Sequence, residues 1–137
     1  MTTLERVDPA VVPADLVAAA WRVHAHAYAP YSGFAVGAAV RDGDGNVHAG
    51  ANVENGSYGL GRCAEQSAVQ AMASSGGRRI VEVVVATDAD PPATPCGACR
   101  QVLFEFADDA VVYLVNRQGA WRTSVAALLP AGFHLRP

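Results

Sequence analysis

The chain has 137 residues, 51% of them apolar and 17% charged, with a formal net charge of −3. This is the size of one domain able to bury a full core, and the acidic balance, with no Lys/Arg run, argues against a surface that tracks a nucleic-acid polymer. No segment nears the ~20 apolar residues that cross a bilayer, and the charged opening MTTLERVDPA has no secretion-type apolar stretch. The expectation is a soluble, cytoplasmic protein with no membrane partner, folded as one domain over residues 1–137.

PADLVAAAWRVHAHAYA, residues 13–29, predicts the first helix. Leu16, Ala19, Ala20, Val23 and Ala27 recur at helical spacing, and PYSGF breaks the pattern. FAVGAAVRDGDGNVHAGANV reads as a β-hairpin turned at DGDGN. ENGSYGLGR is a glycine-rich loop. A helix follows from about Cys63 to Ser74 and is stopped by SSGG.

RRIVEVVVATD is β-branched and almost continuous, which predicts a strand buried on both faces. ADPPATP is a loop, and CGACRQVLFEFA starts a helix directly after Pro95. AVVYLVN is a second buried strand, RQGAW a turn that leads into a last strand, and SVAALLPAGF a short helix with an irregular tail. Such an order predicts an α/β fold: a three-layer α/β/α sandwich around one mixed five-stranded sheet. The chain shows no repeat, linker or low-complexity segment.

The three cysteines are Cys63, Cys96 and Cys99. An odd count cannot close a complete disulfide set, and C-x-x-C plus a lone cysteine points to metal or redox chemistry in a reducing compartment. Both cysteine stretches follow a loop and open a helix. There the unpaired N–H groups and the positive end of the dipole favour the thiolate. Cys96 and Cys99 share one face of a turn. If the two helices start side by side, Cys63 completes a set of three.

Three protein ligands plus water is the pattern of catalytic zinc, whereas structural zinc is usually closed by four. His24, His26, His48 and His134 stand far from these motifs in sequence. Plainer readings stay open. The C-x-x-C could be half of a structural zinc site or a thiol pair, and Cys63 a small buried apolar side chain.

Glu65 lies two residues after Cys63. A first-turn glutamate ordinarily complements the helix dipole in solvent. Here it stands close enough to serve water at a metal without binding the metal itself. It could take a proton from that water and deliver it to a leaving group. C-x-E followed by P-C-x-x-C, with a glutamate that is not a ligand, is the signature of zinc-dependent deaminases.

With these motifs the sequence resembles the cytidine deaminase family, in its small homotetrameric type with three cysteine ligands. The likeness runs through AYAPYSGFAVGAAV, GANVENGSYGLGRCAEQSAV, PCGACRQVLFEF and LLPAGF. It implies the cytidine deaminase-like fold and zinc-dependent hydrolysis of cytidine and 2′-deoxycytidine to the uridines. Ammonia would be released, and the role would be pyrimidine salvage. It further implies Cys63, Cys96 and Cys99 as Zn²⁺ ligands and Glu65 as the proton shuttle. Asn52 and Glu54 would bind the ribose 3′-hydroxyl, since residues two apart on an extended segment point to one side. Phe34 would pack on the pyrimidine. The Ala64 N–H would meet the pyrimidine carbonyl, and the Cys96 carbonyl the amino group. Phe133 would reach into a neighbouring subunit's site from the C-terminal tail and Tyr58 would lie across the interface; local packing is the alternative for either. Arg100 and Gln101 are left structural roles.

One position departs from the family. CAEQ stands where CAER is usual, so Gln66 replaces an arginine that offsets thiolate charge. Three thiolates and Zn²⁺ sum to −1, which opposes ionisation of water. Arg62, just before Cys63, could supply the missing positive field or simply face solvent or a neighbouring subunit. Rival readings are a deaminase of another cytosine-bearing small molecule, such as blasticidin S or free cytosine, and a non-catalytic zinc or thiol protein. NVEN favours a nucleoside, because a free base offers no sugar to hold. Short loops and the lack of an aromatic-basic stripe disfavour polynucleotide editing.

Overall fold

IVEVVVAT forms the centre of the sheet, as a run of β-branched residues covered on both faces should. In the computed structural model, which describes residues 4–136, the elements run in the following order. They are β1 (Glu5–Val7), α1 (Ala14–His24), β2 (Val36–Asp42), β3 (Val47–Ala51), α2 (Ala64–Ser74), β4 (Ile80–Thr87), α3 (Gly97–Phe106), β5 (Val111–Val115), β6 (Ala120–Ser124) and α4 (Val125–Leu128). Short 3₁₀ turns occupy Pro9–Val11 and Tyr58–Leu60.

The sheet has six strands, in the order β1-β6-β5-β4-β2-β3. This corrects the expected five. β1 is a three-residue edge strand paired to β6, with Glu5 opposite Arg122. Its sequence, ERV, is too short and too charged to show a period. The sheet is mixed as expected: β4 and β5 run parallel, and every other pairing is antiparallel. α3 is the crossover between the parallel strands.

Alternation along the strands builds three layers. Ala38, Val40, Val83, Val85, Val112 and Leu114 face α2, α3 and α4, where Met72, Leu103 and Leu128 complete one core. Ala39, Val84, Ala86, Tyr113 and Val115 face the other way and pack under Leu16, Ala19 and Ala20 of α1. Leu16 is fully buried, worth roughly 1.5–3 kcal/mol relative to exposure.

α1 ends at His24, five residues short of the helical pattern. Ala27 makes only a turn bond, to the His24 carbonyl, and Tyr28 leaves to bridge Val53. A tertiary pairing outcompetes local propensity here. No helix among the described residues is long and apolar enough to cross a membrane.

Two features converge on one end of the sheet. β2 begins at Val36, opposite the last residue of β4, Thr87. The helices α2 and α3 both start at this end, with Cys63 and Cys96 as their N-caps.

Candidate active site

Residues 52–54 are an extended segment that ties the site together. Tyr28 N donates to the Asn52 carbonyl (3.0 Å) and Glu54 N to the Tyr28 carbonyl (2.8 Å). On the other side, Val53 and Arg62 exchange both backbone bonds at 2.9 Å. Thus the loop after α1 and the start of α2 flank one strand-like stretch, and Cys63 follows directly. Alternation turns Asn52 and Glu54 inward and leaves Val53 exposed.

The resulting cavity measures about 250 Å³ and contains Phe34, Asn52, Glu54, Ala64 and Glu65 together with the three cysteines. Sequence reasoning missed Ser32, Thr87 and Thr94, which also line it. Ser32 lay in PYSGF, read only as a helix breaker; a hydroxyl two residues before Phe34 was the available signal. Phe34 is 42% exposed and belongs to the cavity wall, not to either core.

The Sγ atoms of Cys63, Cys96 and Cys99 lie within 4.8 Å of one another, and no other His/Cys/Asp/Glu group of this kind occurs among the described residues. Cys96 and Cys99 Sγ are 3.5 Å apart. Three converging sulfurs match a soft, tetrahedral ion, so the donor set fits zinc.

The metal-free thiols do not all ionise easily, which corrects the expectation that both helix starts favour the thiolate. Only the Cys96 thiol is held below its ordinary range. Burial opposes this, but the N–H groups of Cys99 and Ala98 and the neighbouring thiols outweigh it. Burial pushes the Cys63 and Cys99 thiols up, and the nearby charge of Glu65 adds to this. Desolvation wins where the helix dipole is weak beside it.

Glu65 is 5% exposed. Burial raises its carboxyl above the usual range, against its own backbone N–H and a bond to Cys99. A carboxyl poised this way can both hold and release a proton. Gln66 Nε2 donates to Cys99 Sγ at 3.8 Å. Arg62 is exposed, and its guanidinium donates to the carbonyls of Gly61 (2.9 Å) and Gly59 (3.4 Å), so these bonds go to loop backbone and not to sulfur.

Asn52 uses both ends of its amide on the loop that carries Phe34. Oδ1 accepts from Val36 N (2.8 Å), and Nδ2 donates to the Phe34 carbonyl (2.8 Å). Glu54 accepts at Oε1 from the N–H groups of Tyr31 (3.0 Å) and Ser32 (3.1 Å), and at Oε2 from Ser32 Oγ (2.5 Å). These bonds, the Ser32 hydroxyl first, hold the Glu54 carboxyl below its usual range. Both residues keep spare capacity: a second Nδ2–H on Asn52 and a lone pair on Glu54 Oε2.

Two expected site residues stay outside the cavity. Tyr58 is 84% exposed and meets Tyr31 edge-on at 6.2 Å. Phe133 is 69% exposed, and its carbonyl accepts from Gln101 Nε2 at 2.9 Å.

Sulfur ligands at paired helix starts, served by a buried carboxyl that is not a ligand, define a class: the zinc-dependent deaminases. Comparison with known proteins narrows it. Residues 13–115 match the family described as the cytidine and deoxycytidylate deaminase zinc-binding region. The cytidine deaminase of Halalkalibacterium halodurans is 50% identical over 109 residues, covering 78% of this chain and 83% of that one. The cytidine deaminase of Sporosarcina psychrophila is 42% identical over 120 residues, covering 86% and 88%. Among solved structures, the cytidine deaminase from Burkholderia pseudomallei superposes with a TM-score of 0.83 at 43% identity, covering 87% of this chain and 97% of that one. The chain belongs to the cytidine deaminase family.

Proposed function

We propose that the protein hydrolyses cytidine and 2′-deoxycytidine to uridine and 2′-deoxyuridine, with release of ammonia. The observation that carries this reading is a buried Glu65 beside three converging sulfurs, in a cavity that also holds an aromatic ring and two sugar-type polar groups. The family of the chain and the names of its relatives support the same reaction.

Cys63, Cys96 and Cys99 hold zinc. When bound, the ion supplies the Lewis acidity that lets water attack near neutral pH. The Glu65 carboxylate takes a proton from the attacking water and delivers it to the ring nitrogen N3, then passes the remaining hydroxyl proton to the departing amino nitrogen, so that ammonia leaves as the C4 carbonyl forms. Phe34 packs against the pyrimidine and keeps bulk water away. The Ala64 N–H, in the unpaired first turn of α2, orients the pyrimidine carbonyl. The Cys96 carbonyl, which already accepts from Arg100 N at 3.0 Å, has a second lone pair for the amino group. The spare donor of Asn52 and the spare acceptor of Glu54 take the 3′-hydroxyl, which itself donates and accepts.

We further read residues 1–137 as one catalytic domain in a cytoplasmic homotetramer that works in pyrimidine salvage. Exposed Tyr58, Leu60, Phe133 and Leu135 support assembly, because apolar side chains of this size gain by being covered. Tyr58 and Phe133 then complete a neighbour's site.

The test is loss of cytidine absorbance with and without a chelator, run alongside Glu65→Gln. Chelation abolishes turnover, and the variant loses at least about 10²–10⁴-fold in kcat while still retaining zinc. Undiminished activity in the variant would refute the shuttle.

A further inference from the structure

We propose that Ser32 is a positioning residue that sets specificity for the sugar hydroxyl. Its side chain couples the carboxylate of Glu54 to the backbone that carries Phe34. This deepens, and rests on, the reading of Glu54 as the acceptor of the 3′-hydroxyl.

Ser32 Oγ donates to Glu54 Oε2 at 2.5 Å and accepts from Phe34 N at 3.0 Å. Its own N–H donates to the other oxygen of the same carboxylate, Oε1, at 3.1 Å. One residue therefore grips both oxygens of Glu54 and the peptide of the residue beside the base. The grip depends on a local turn. Gly33 sits at φ +70°, a left-handed conformation that favours glycine, and its N–H donates to the Ala29 carbonyl at 2.9 Å. This folds Ser32 back toward Phe34.

A carboxylate held by donors at both oxygens cannot rotate about its terminal bond. Its remaining lone pair on Oε2 then points in one direction. An acceptor fixed in this way discriminates a hydroxyl from its absence, while a rotating one is partly satisfied by water. Ser32 also lines the cavity beside Glu54, so it stands on the side where the proposed sugar site lies and not behind a wall. Its removal loosens the sugar end first and leaves Glu65 and the sulfurs untouched.

The test compares 2′-deoxycytidine with 2′,3′-dideoxycytidine, which differ only at the 3′-hydroxyl, on the zinc-loaded enzyme. Ser32→Ala lowers kcat/KM for 2′-deoxycytidine by about tenfold, the scale of one hydrogen bond to a charged group. The loss falls in KM, with kcat within about twofold, and the dideoxynucleoside is almost unaffected, so the ratio between the two collapses by a similar factor. Ser32→Thr, which keeps the hydroxyl, restores most of the ratio. If the parent discriminates but Ser32→Ala keeps its ratio or raises it, or if the loss falls equally on both nucleosides or in kcat, Ser32 has no such role. A parent that does not distinguish the two nucleosides overturns the proposal together with the reading of Glu54.

Discussion

Gln66 donates its side-chain N–H to Cys99 Sγ across 3.8 Å, from the first turn of α2 to the first turn of α3. With the bond of the Glu65 carboxyl to the same cysteine, it links the two helices at the metal pole, and it carries no charge. Gln66→Ala removes a donor to sulfur worth about 1 kcal/mol. Zinc affinity in competition with a chromogenic chelator should fall about fivefold, while the melting temperature of the metal-free protein changes little. Unchanged zinc affinity would mean that the amide does not act on the sulfur.

Gly50 faces the start of the same helix. A Cβ there would lie 2.5 Å from Ala68 N and 2.6 Å from Ser67 Cβ. Both neighbours belong to the α2 turn that follows Glu65 and Gln66, so backbone must move. Gly50→Ala should destabilise by about 1–3 kcal/mol, a drop in Tm of roughly 3–12 °C. Because α2 carries Cys63 and Glu65, kcat should fall as well. Calorimetry and steady-state kinetics on one preparation check both, and a loss of stability with full kcat would show that the helix start does not follow the shift.

The sequence made the layers legible because hydrophobic period reports burial. IVEVVVAT and AVVYLV are apolar on both faces, and both are covered on both faces. The cysteine and glutamate positions were legible because their spacing relative to helix starts is a local property. β1 was not, since three residues paired to a strand more than a hundred positions away leave no periodic trace. Nor was the shortened α1, which Tyr28 ends by pairing with Val53. Thiol ionisation was misjudged for Cys63 and Cys99 because depth of burial is a tertiary quantity. The double duty of Asn52 and Glu54 was invisible for the same reason: their partners lie sixteen or more residues away in the chain.

Asp42 gives the fold an acid-sensitive point far from the sulfurs. His48 Nε2 lies 2.8 Å from its Oδ2, and Oδ1 accepts from Asp44 N (2.9 Å) and Asn46 N (3.0 Å). The His48 bond first, then those backbone N–H groups, hold its carboxyl below the ordinary 3.8, against burial. A carboxyl depressed in the folded state stabilises fully above its unfolded value, and the contribution disappears as pH falls through the folded one. Wild-type Tm should therefore drop below about pH 4. Asp42→Asn should melt lower at pH 7 and lose less between pH 5 and about pH 2. Melting curves of the two proteins that stay parallel through that window would exclude Asp42 as a contributor.

Arg100 follows Cys99 on α3, yet its guanidinium works as a brace and its bonds go to oxygen. Nε donates to the Pro95 carbonyl (2.7 Å), one NH₂ to the Leu128 carbonyl at the end of α4 (3.0 Å), and the other to Thr94 Oγ1 (3.3 Å). One side chain thus clamps the loop that delivers Cys96 against the last helix. Two explanations of its importance make different forecasts. If positive charge near three thiolates were what mattered, Arg100→Lys would behave like the parent. A lysine ammonium carries its three donors on one nitrogen, however, and cannot span three acceptors spread along a planar guanidinium. The brace therefore forecasts that Arg100→Lys and Arg100→Met both release zinc faster, by roughly tenfold, as each leaves at least one of the carbonyls of the buried Pro95 and Leu128 unpaired. Stopped-flow release into excess chelator measures this directly, and a lysine variant that releases zinc at the parental rate would assign the residue to charge and not to geometry.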